Sequence, residues 1–371
     1  MQLIRSGRFF LPGPTEVHPE VLKSQSRSII SHRSPEMEAV MADIQTGLQG
    51  VLGTERPVVA STSSATGLME AAVRGSGLRR VLSLVGGAFS GRFAKIVERS
   101  GLELESLEVP WGEAHDPDAV GAAVADVKPE LVTMVHSETS TGVLNPVADL
   151  VRAVQDNSDA LVVVDSVSGA AGTPVDFDVL GADLLLTGSQ KAFAVPPGLS
   201  FAVASERYLI QARRNPTPGF YFDVPALVAS AEANRALTTP PISVLFALQV
   251  QLRRIREEGT AARYRRHLDM AASCYRWVER LVEQGVAVEI AAPQGVRSPT
   301  VTALRLPPGT HSETVLAALA ERGFSVAPGY GKWRGEYIRL GHMGDHAEEG
   351  FDALLAALER VFIEVLGGSP V

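Results

Sequence analysis

The sequence predicts an α/β fold: a mostly parallel sheet with helices on both faces in a large domain, followed by a smaller C-terminal α+β domain. Three observations lead there. At 371 residues the chain exceeds what one ordinary hydrophobic core serves. Between about residues 56 and 205, short apolar runs alternate with amphipathic stretches, the pattern of successive βα units. Beyond residue 260 that alternation gives way to a mixed order of long helices and isolated strands.

Taken in order, residues 1–20 read as an N-terminal arm, 21–260 as the large domain and 261–371 as the small one. Ser34-Pro35-Glu36 opens a helix, with serine as cap, proline in the first turn and an acid favoured by the helix dipole. Strands are expected at 58–60, 81–85, 131–135, 161–164, 184–186 and 201–204, and the near-continuous apolar run 161–164 reads as covered on both faces. Helices start near Ile242 and Ala261. The small domain then follows with strands at 286–290 and 301–306, a helix at 312–322, a strand at 337–340 and a closing helix at 346–366.

Composition narrows the function. The formal charge of −8 and the absence of a basic block argue against sequence-independent nucleic-acid binding. The one cysteine, Cys274, excludes an internal disulfide and suits a reducing compartment. Its helical surroundings make it a bystander thiol. No signal-peptide core and no membrane-length apolar run stand in the chain, so a cytoplasmic location is expected.

The chemistry concentrates in a few segments. Lys191 follows the apolar run 184–186 and sits among small residues before Pro196-Pro197-Gly198. A lysine at the end of a buried strand loses ammonium character and becomes a candidate Schiff-base nucleophile. Asp165 ends the run 161–164, at the sheet edge where parallel α/β folds gather ligand contacts, although a strand-end aspartate can also simply cap a turn. Ser61-Thr62-Ser63-Ser64-Ala65-Thr66-Gly67 lies between a strand and a helix, where N–H groups and hydroxyls suit a phosphate, or where a serine merely caps the helix. No Walker lysine, strand-linked GxGxxG or Cys/His ligand cluster accompanies it, so no metal is expected. Arg339 falls on a strand between Ile338 and Leu340, which point the other way. Its planar fork matches a carboxylate, although an arginine on an edge strand can also simply face solvent.

This conjunction resembles the fold-type I pyridoxal-phosphate enzymes, and within them the class V aminotransferases of the alanine/serine–glyoxylate (serine–pyruvate) group. The likeness runs over nearly all of the chain. It is carried by Leu11-Pro12-Gly13-Pro14-Thr15, Ser31-His32-Arg33-Ser34-Pro35-Glu36, His136-Ser137-Glu138-Thr139-Ser140-Thr141-Gly142-Val143, Val164-Asp165-Ser166-Val167-Ser168, Gly188-Ser189-Gln190-Lys191 and Ile338-Arg339-Leu340-Gly341.

The resemblance implies a sheet of the seven-stranded type and pyridoxal 5'-phosphate joined to Lys191 as an aldimine. It implies Asp165 on the ring nitrogen, Val167 under the ring and Phe89 stacked above it, a position where phenylalanine can also be a packing anchor. Ser64, Ala65, Thr66 and Gln190 would hold the phosphate, and Ser140 would bond near the ring hydroxyl. In this fold a second copy of the chain also reaches the phosphate, here through Thr238, with Arg235 where relatives carry tyrosine. A homodimer with shared sites is therefore expected. Arg339 and Gly13 would meet the substrate, and the Gly329-Tyr330-Gly331 turn would close over it. The implied reaction moves an amino group from alanine or serine to glyoxylate or pyruvate by a ping-pong mechanism. An aspartate- or phosphonate-type transaminase, a lyase, or a cofactor-free interaction subunit on the same fold are the alternatives.

Overall fold

The computed structural model describes residues 7–365. Residues 1–6 of the expected arm and 366–371, including the expected end of the closing helix, lie outside the described residues.

Along the first half of the chain the strands are β1 (Val58–Ser61), β2 (Arg80–Val85), β3 (Glu103–Glu108), β4 (Leu131–Val135), β5 (Ser137–Glu138), β6 (Val143–Leu144), β7 (Leu161–Asp165), β8 (Leu184–Gly188) and β9 (Ser200–Ala204). Seven of them form one sheet in the order β1-β9-β8-β7-β4-β2-β3. The five strands from β8 to β3 run parallel, and β9 is antiparallel to both its neighbours. The continuous apolar runs are explained by two separate cores. Val58, Leu82, Val132, Val162, Val164, Leu185 and Val203 face one layer of helices, and Val59, Val81, Leu131, Leu161, Val163, Leu184 and Leu186 face the other.

One strand of the seven-stranded sheet departs from expectation. β3, Glu-Leu-Glu-Ser-Leu-Glu, was not foreseen because its carboxylates lower strand propensity, yet it is a half-exposed edge strand whose charges point outward.

The remaining strands, β10 (Glu289–Ile290), β11 (Val301–Arg305), β12 (Ala327–Pro328) and β13 (Tyr337–Gly341), make an antiparallel sheet in the order β10-β11-β13-β12. The expected strand at 286–290 is thus reduced to its last two residues. Helices Thr260–Glu283, Ser312–Glu321 and Glu348–Val365 accompany this sheet. Met270, Trp277, Val315, Ile338, Leu340, Leu354 and Phe362 build its core, which also takes Phe10 from the arm. At the other end of the chain, Ser34 caps helix Pro35–Leu52, its Oγ accepting from the Met37 N–H at 3.3 Å. Among the described residues no helix is long and apolar enough to cross a membrane.

Candidate active site

The carboxyl ends of the central strands meet the arm and the Tyr330 turn around one cavity of about 400 Å³, and Arg339 of β13 lies outside its wall. Asp165 is the last residue of β7 and is buried, paired across the sheet with Val135 and Leu186. Its Oδ1 accepts from the Val167 N–H at 2.8 Å. Burial raises its pKa to about 7. The Val167 bond and the positive charges of Lys191 and Arg92 oppose that rise, and the Glu138 carboxylate adds to it. A carboxylate so desolvated is stabilised by any cation brought to it.

Lys191 lies three residues beyond the end of β8, not at the strand end as expected. The intervening turn is tightly held: the Ser189 N–H donates to Leu199 O, Ser189 Oγ to Pro196 O, and the Ala194 N–H back to Lys191 O. Ala194 adopts φ +53°, a left-handed conformation uncommon for a residue with a Cβ. The lysine is buried, and its Nζ donates to the carbonyl of Pro12 in the arm. Burial lowers its pKa to about 7, helped by Arg339 and Arg92 and opposed by Asp165 and Glu138. Gly13 has φ +99°, and a Cβ there would fall on the lysine side chain itself, so only glycine permits this approach.

The hydroxyl-rich turn does form a helix start. Ser64 is the cap of helix Ala65–Gly75, but its side chain makes no capping bond. Its hydroxyl and the first-turn N–H groups are therefore not spent on each other, and Ser64, Ala65, Thr66 and Gln190 all line the cavity. That is the donor set an anion needs at a helix N-terminus.

Phe89 and Val167 form walls of the cavity. Phe89 is held by a residue to which the sequence assigned no role. The buried carboxylate of Glu138 accepts from the Phe89 and Ser90 N–H groups at 3.2 and 2.9 Å, and from Ser90 Oγ at 3.0 Å. Ser140 stands behind the wall rather than in it, donating to Glu138 Oε1 and accepting from the Ala88 N–H at 3.0 Å. Ser137, Thr139 and Ser168 line the cavity there.

Arg339, on β13, is buried with its guanidinium donating to Pro328 O at 3.0 Å and Thr139 O at 3.2 Å. Among the described residues no carboxylate lies within ion-pair distance of it. Burial pushes its pKa down to about 10, against the opposing influence of Tyr330 and Glu138. Tyr330 lines the cavity, its ring 5.3 Å from the Arg339 guanidinium carbon and 5.2 Å from the Phe89 ring. Arg92, which the sequence reading left without a function, also lines the cavity, lies 4.9 Å over the Phe89 ring and donates to Tyr330 Oη at 3.2 Å. Its place three residues after Phe89 on a helix start was the available signal.

Other expected residues lie elsewhere. Thr238 is half-buried outside this chain's cavity wall, and Arg235 is exposed, its Nε 2.8 Å from Glu38. His32 and Arg33 do not line the cavity either. Cys274 is buried in helix Thr260–Glu283, and burial raises its thiol pKa to about 12, far from a reactive thiolate. His136 and His342 are buried and bonded to Ser166 and to Thr302 and Pro299 O.

Comparison with known proteins places this geometry. A family model described as Aminotransferase class-V matches residues 20–331. An uncharacterized aminotransferase of Methanocaldococcus jannaschii is 34% identical over 96% of this chain and 92% of its own. The L-aspartate–glyoxylate aminotransferase of Paracoccus denitrificans is 29% identical over 98% of this chain and 92% of its own. Among solved structures, alanine–glyoxylate aminotransferase from Nostoc sp. superposes with a TM-score of 0.89 at 30% identity, covering 98% of this chain and 97% of that one.

Proposed function

This chain belongs to the class V aminotransferases, and we propose that within that family it moves an amino group from a small L-amino acid, alanine or serine, to glyoxylate or pyruvate in ping-pong order. The enzyme is a pyridoxal-phosphate-dependent transaminase of fold type I.

The residues present fit that cofactor. The uncapped helix start with Ser64, Ala65, Thr66 and Gln190 would hold its phosphate, Asp165 its ring nitrogen, Phe89 and Val167 its two faces, and Lys191 its aldehyde. When bound, the cofactor supplies an aldehyde that condenses with amines and a ring that takes up electrons from Cα.

The chain's own groups do the rest. Burial and two nearby guanidiniums keep Lys191 Nζ available without a proton near neutral pH. The same atom can then accept the proton from Cα of a donor and later return it. Asp165, forced into an apolar setting, favours a protonated nitrogen opposite it. Gly13 and Tyr330, both on the cavity wall, would close over the substrate.

The single observation that supports the choice of an amino acid is Arg339, a buried guanidinium with two carbonyl partners and no acid among the described residues, whose fork suits an α-carboxylate. A second reading, aspartate as donor, is favoured by Arg92, another guanidinium at the cavity wall without an acidic partner among the described residues. Function of a homodimer is part of the proposal, with Thr238 of one copy completing the phosphate site of the other, in a reducing compartment such as the cytoplasm.

A panel of donors against glyoxylate and pyruvate, read by loss of the visible absorbance on donor addition, tests the reading. Alanine or serine is expected to bleach it. Bleaching by aspartate alone, lost in Arg92→Ala, establishes the second reading, and bleaching by no amino acid refutes both.

A further inference from the structure

We propose that Arg263 is a positioning residue for Lys191, its guanidinium gripping the Ala192 carbonyl and thereby fixing the turn that aims the lysine into the cavity. The inference rests on the reading of Lys191 as the residue that carries the cofactor.

Arg263 belongs to helix Thr260–Glu283 and is almost wholly buried, at 1% exposure, far from any surface role. Its Nη1 lies 2.8 Å from Glu258 Oε2 and 2.9 Å from Asp345 Oδ1. Those two acids alone suffice to neutralise it. The Nη2 nevertheless reaches away from them and donates to Ala192 O at 2.6 Å. That carbonyl belongs to the residue next to Lys191, inside the turn that contains the left-handed Ala194. A turn held in a sparsely populated conformation persists only where its surroundings over-determine it.

The same cluster also fixes the other side of the lysine. Asp345 is held below the ordinary carboxylate range by Arg263, Gln251 and Arg254, despite burial pushing the other way. Arg266, paired with Glu258, donates to the Gly344 and His346 carbonyls at 3.0 and 2.6 Å. Thr15 donates to Met343 O at 3.1 Å, and its N–H donates to Gln190 O at 3.0 Å. The arm that offers its Pro12 carbonyl to Lys191 Nζ and the turn that carries Lys191 are therefore both referenced to one buried set of charges. Apolar residues of similar volume often replace such a set without loss of stability, so stability alone does not account for it.

The test compares Arg263→Met with Glu258→Gln in the cofactor-loaded enzyme. Glu258→Gln weakens the cluster but leaves Arg263 paired with Asp345 and bonded to Ala192. Both variants are expected to melt earlier. Arg263→Met should move the pH midpoint of the visible absorbance by about half a pH unit or more and lower kcat about tenfold or more with KM little changed, and Glu258→Gln should do so by clearly less. Arg263→Lys, which keeps the charge but cannot span both acids and the carbonyl, should show a smaller shift in the same direction, and it serves if the methionine variant does not fold. Variants that lose melting temperature alike, with midpoint and kcat unmoved in both arginine substitutions, overturn the proposal. Wild-type enzyme in which borohydride fixes no cofactor mass on Lys191 overturns the underlying reading and this inference with it.

Discussion

Replacing Asp165 by asparagine should strengthen the fold while it disables the site. In the folded chain the Asp165 carboxyl titrates at about 7, against an ordinary value of 3.8, because burial penalises its charge. Between those two values the folded state holds a proton that the unfolded state has released, so stability falls as pH rises, and the full cost is reached above about pH 7. Roughly three pH units at about 1.4 kcal/mol each give a cost on the order of 4 kcal/mol. Asparagine removes the charge and keeps an oxygen for the Val167 N–H. With an unfolding entropy near 2.1 cal/mol/K per residue over 371 residues, the gain corresponds to roughly 5 °C in melting temperature. The assay is thermal unfolding of wild type and Asp165→Asn, both stripped of cofactor, at pH 8 and at pH 4. The difference should be present at pH 8 and nearly absent at pH 4, where the native carboxyl is protonated. In loaded enzyme the same variant should lose turnover, since an amide cannot hold a ring nitrogen in its charged form. Equal melting at pH 8, or a gain of the same size at pH 4, refutes the argument.

Lys191→Ala should abolish turnover and any borohydride-fixed cofactor mass, read by peptide mass spectrometry. Gly13→Ala places a Cβ on the Lys191 side chain at φ +99°. Strain of about 1–2 kcal/mol plus the overlap should lower melting temperature and cofactor retention together. Arg339→Gln should cost about 2–5 kcal/mol in kcat/KM with the preferred donor, or roughly 30- to several-thousand-fold, seen chiefly in KM. Because Arg339 follows burial among the causes lowering the Lys191 pKa, an unreactive carboxylate such as propionate should raise the pH at which Lys191 in stripped enzyme is labelled by an amine reagent.

How much of this was legible in the sequence follows from what each feature needs. Strands β1, β2, β4, β7, β8 and β9 were readable because each is covered on both faces and so carries a continuous apolar run. β3 lies at the sheet edge with both faces only partly covered, and its glutamates hid it. Asp165, Lys191 and the Ser64–Thr66 turn were readable because unusual polar residues follow apolar runs directly. The offset of Lys191 from β8 was not, since it depends on a turn closed by Ser189 and Pro196 with Ala194 at positive φ. Arg92 and Glu138 escaped for a different reason. Their roles arise from residues about 50 and 240 positions away, Glu138 meeting Ser90 and Arg92 meeting Tyr330, and no local pattern encodes such pairings.

The charges around the cavity explain why this site needs no separate base to ready its lysine. Glu138 spends its carboxylate on the N–H groups and hydroxyls of the Phe89 turn and on Ser140, so little of its charge is free to hold a proton on Lys191. Arg339 and Arg92 have no acidic partner among the described residues. Asp165 and, more weakly, Glu138 favour the ammonium form, and the charge of Asp165 is itself suppressed by burial. The balance is a positive excess in a desolvated pocket. That excess would suit an entering phosphate and carboxylate, and it adds to burial in disfavouring the proton on Nζ. Burial does most to make the amine reactive at neutral pH, and the guanidiniums that would attract anions add to it.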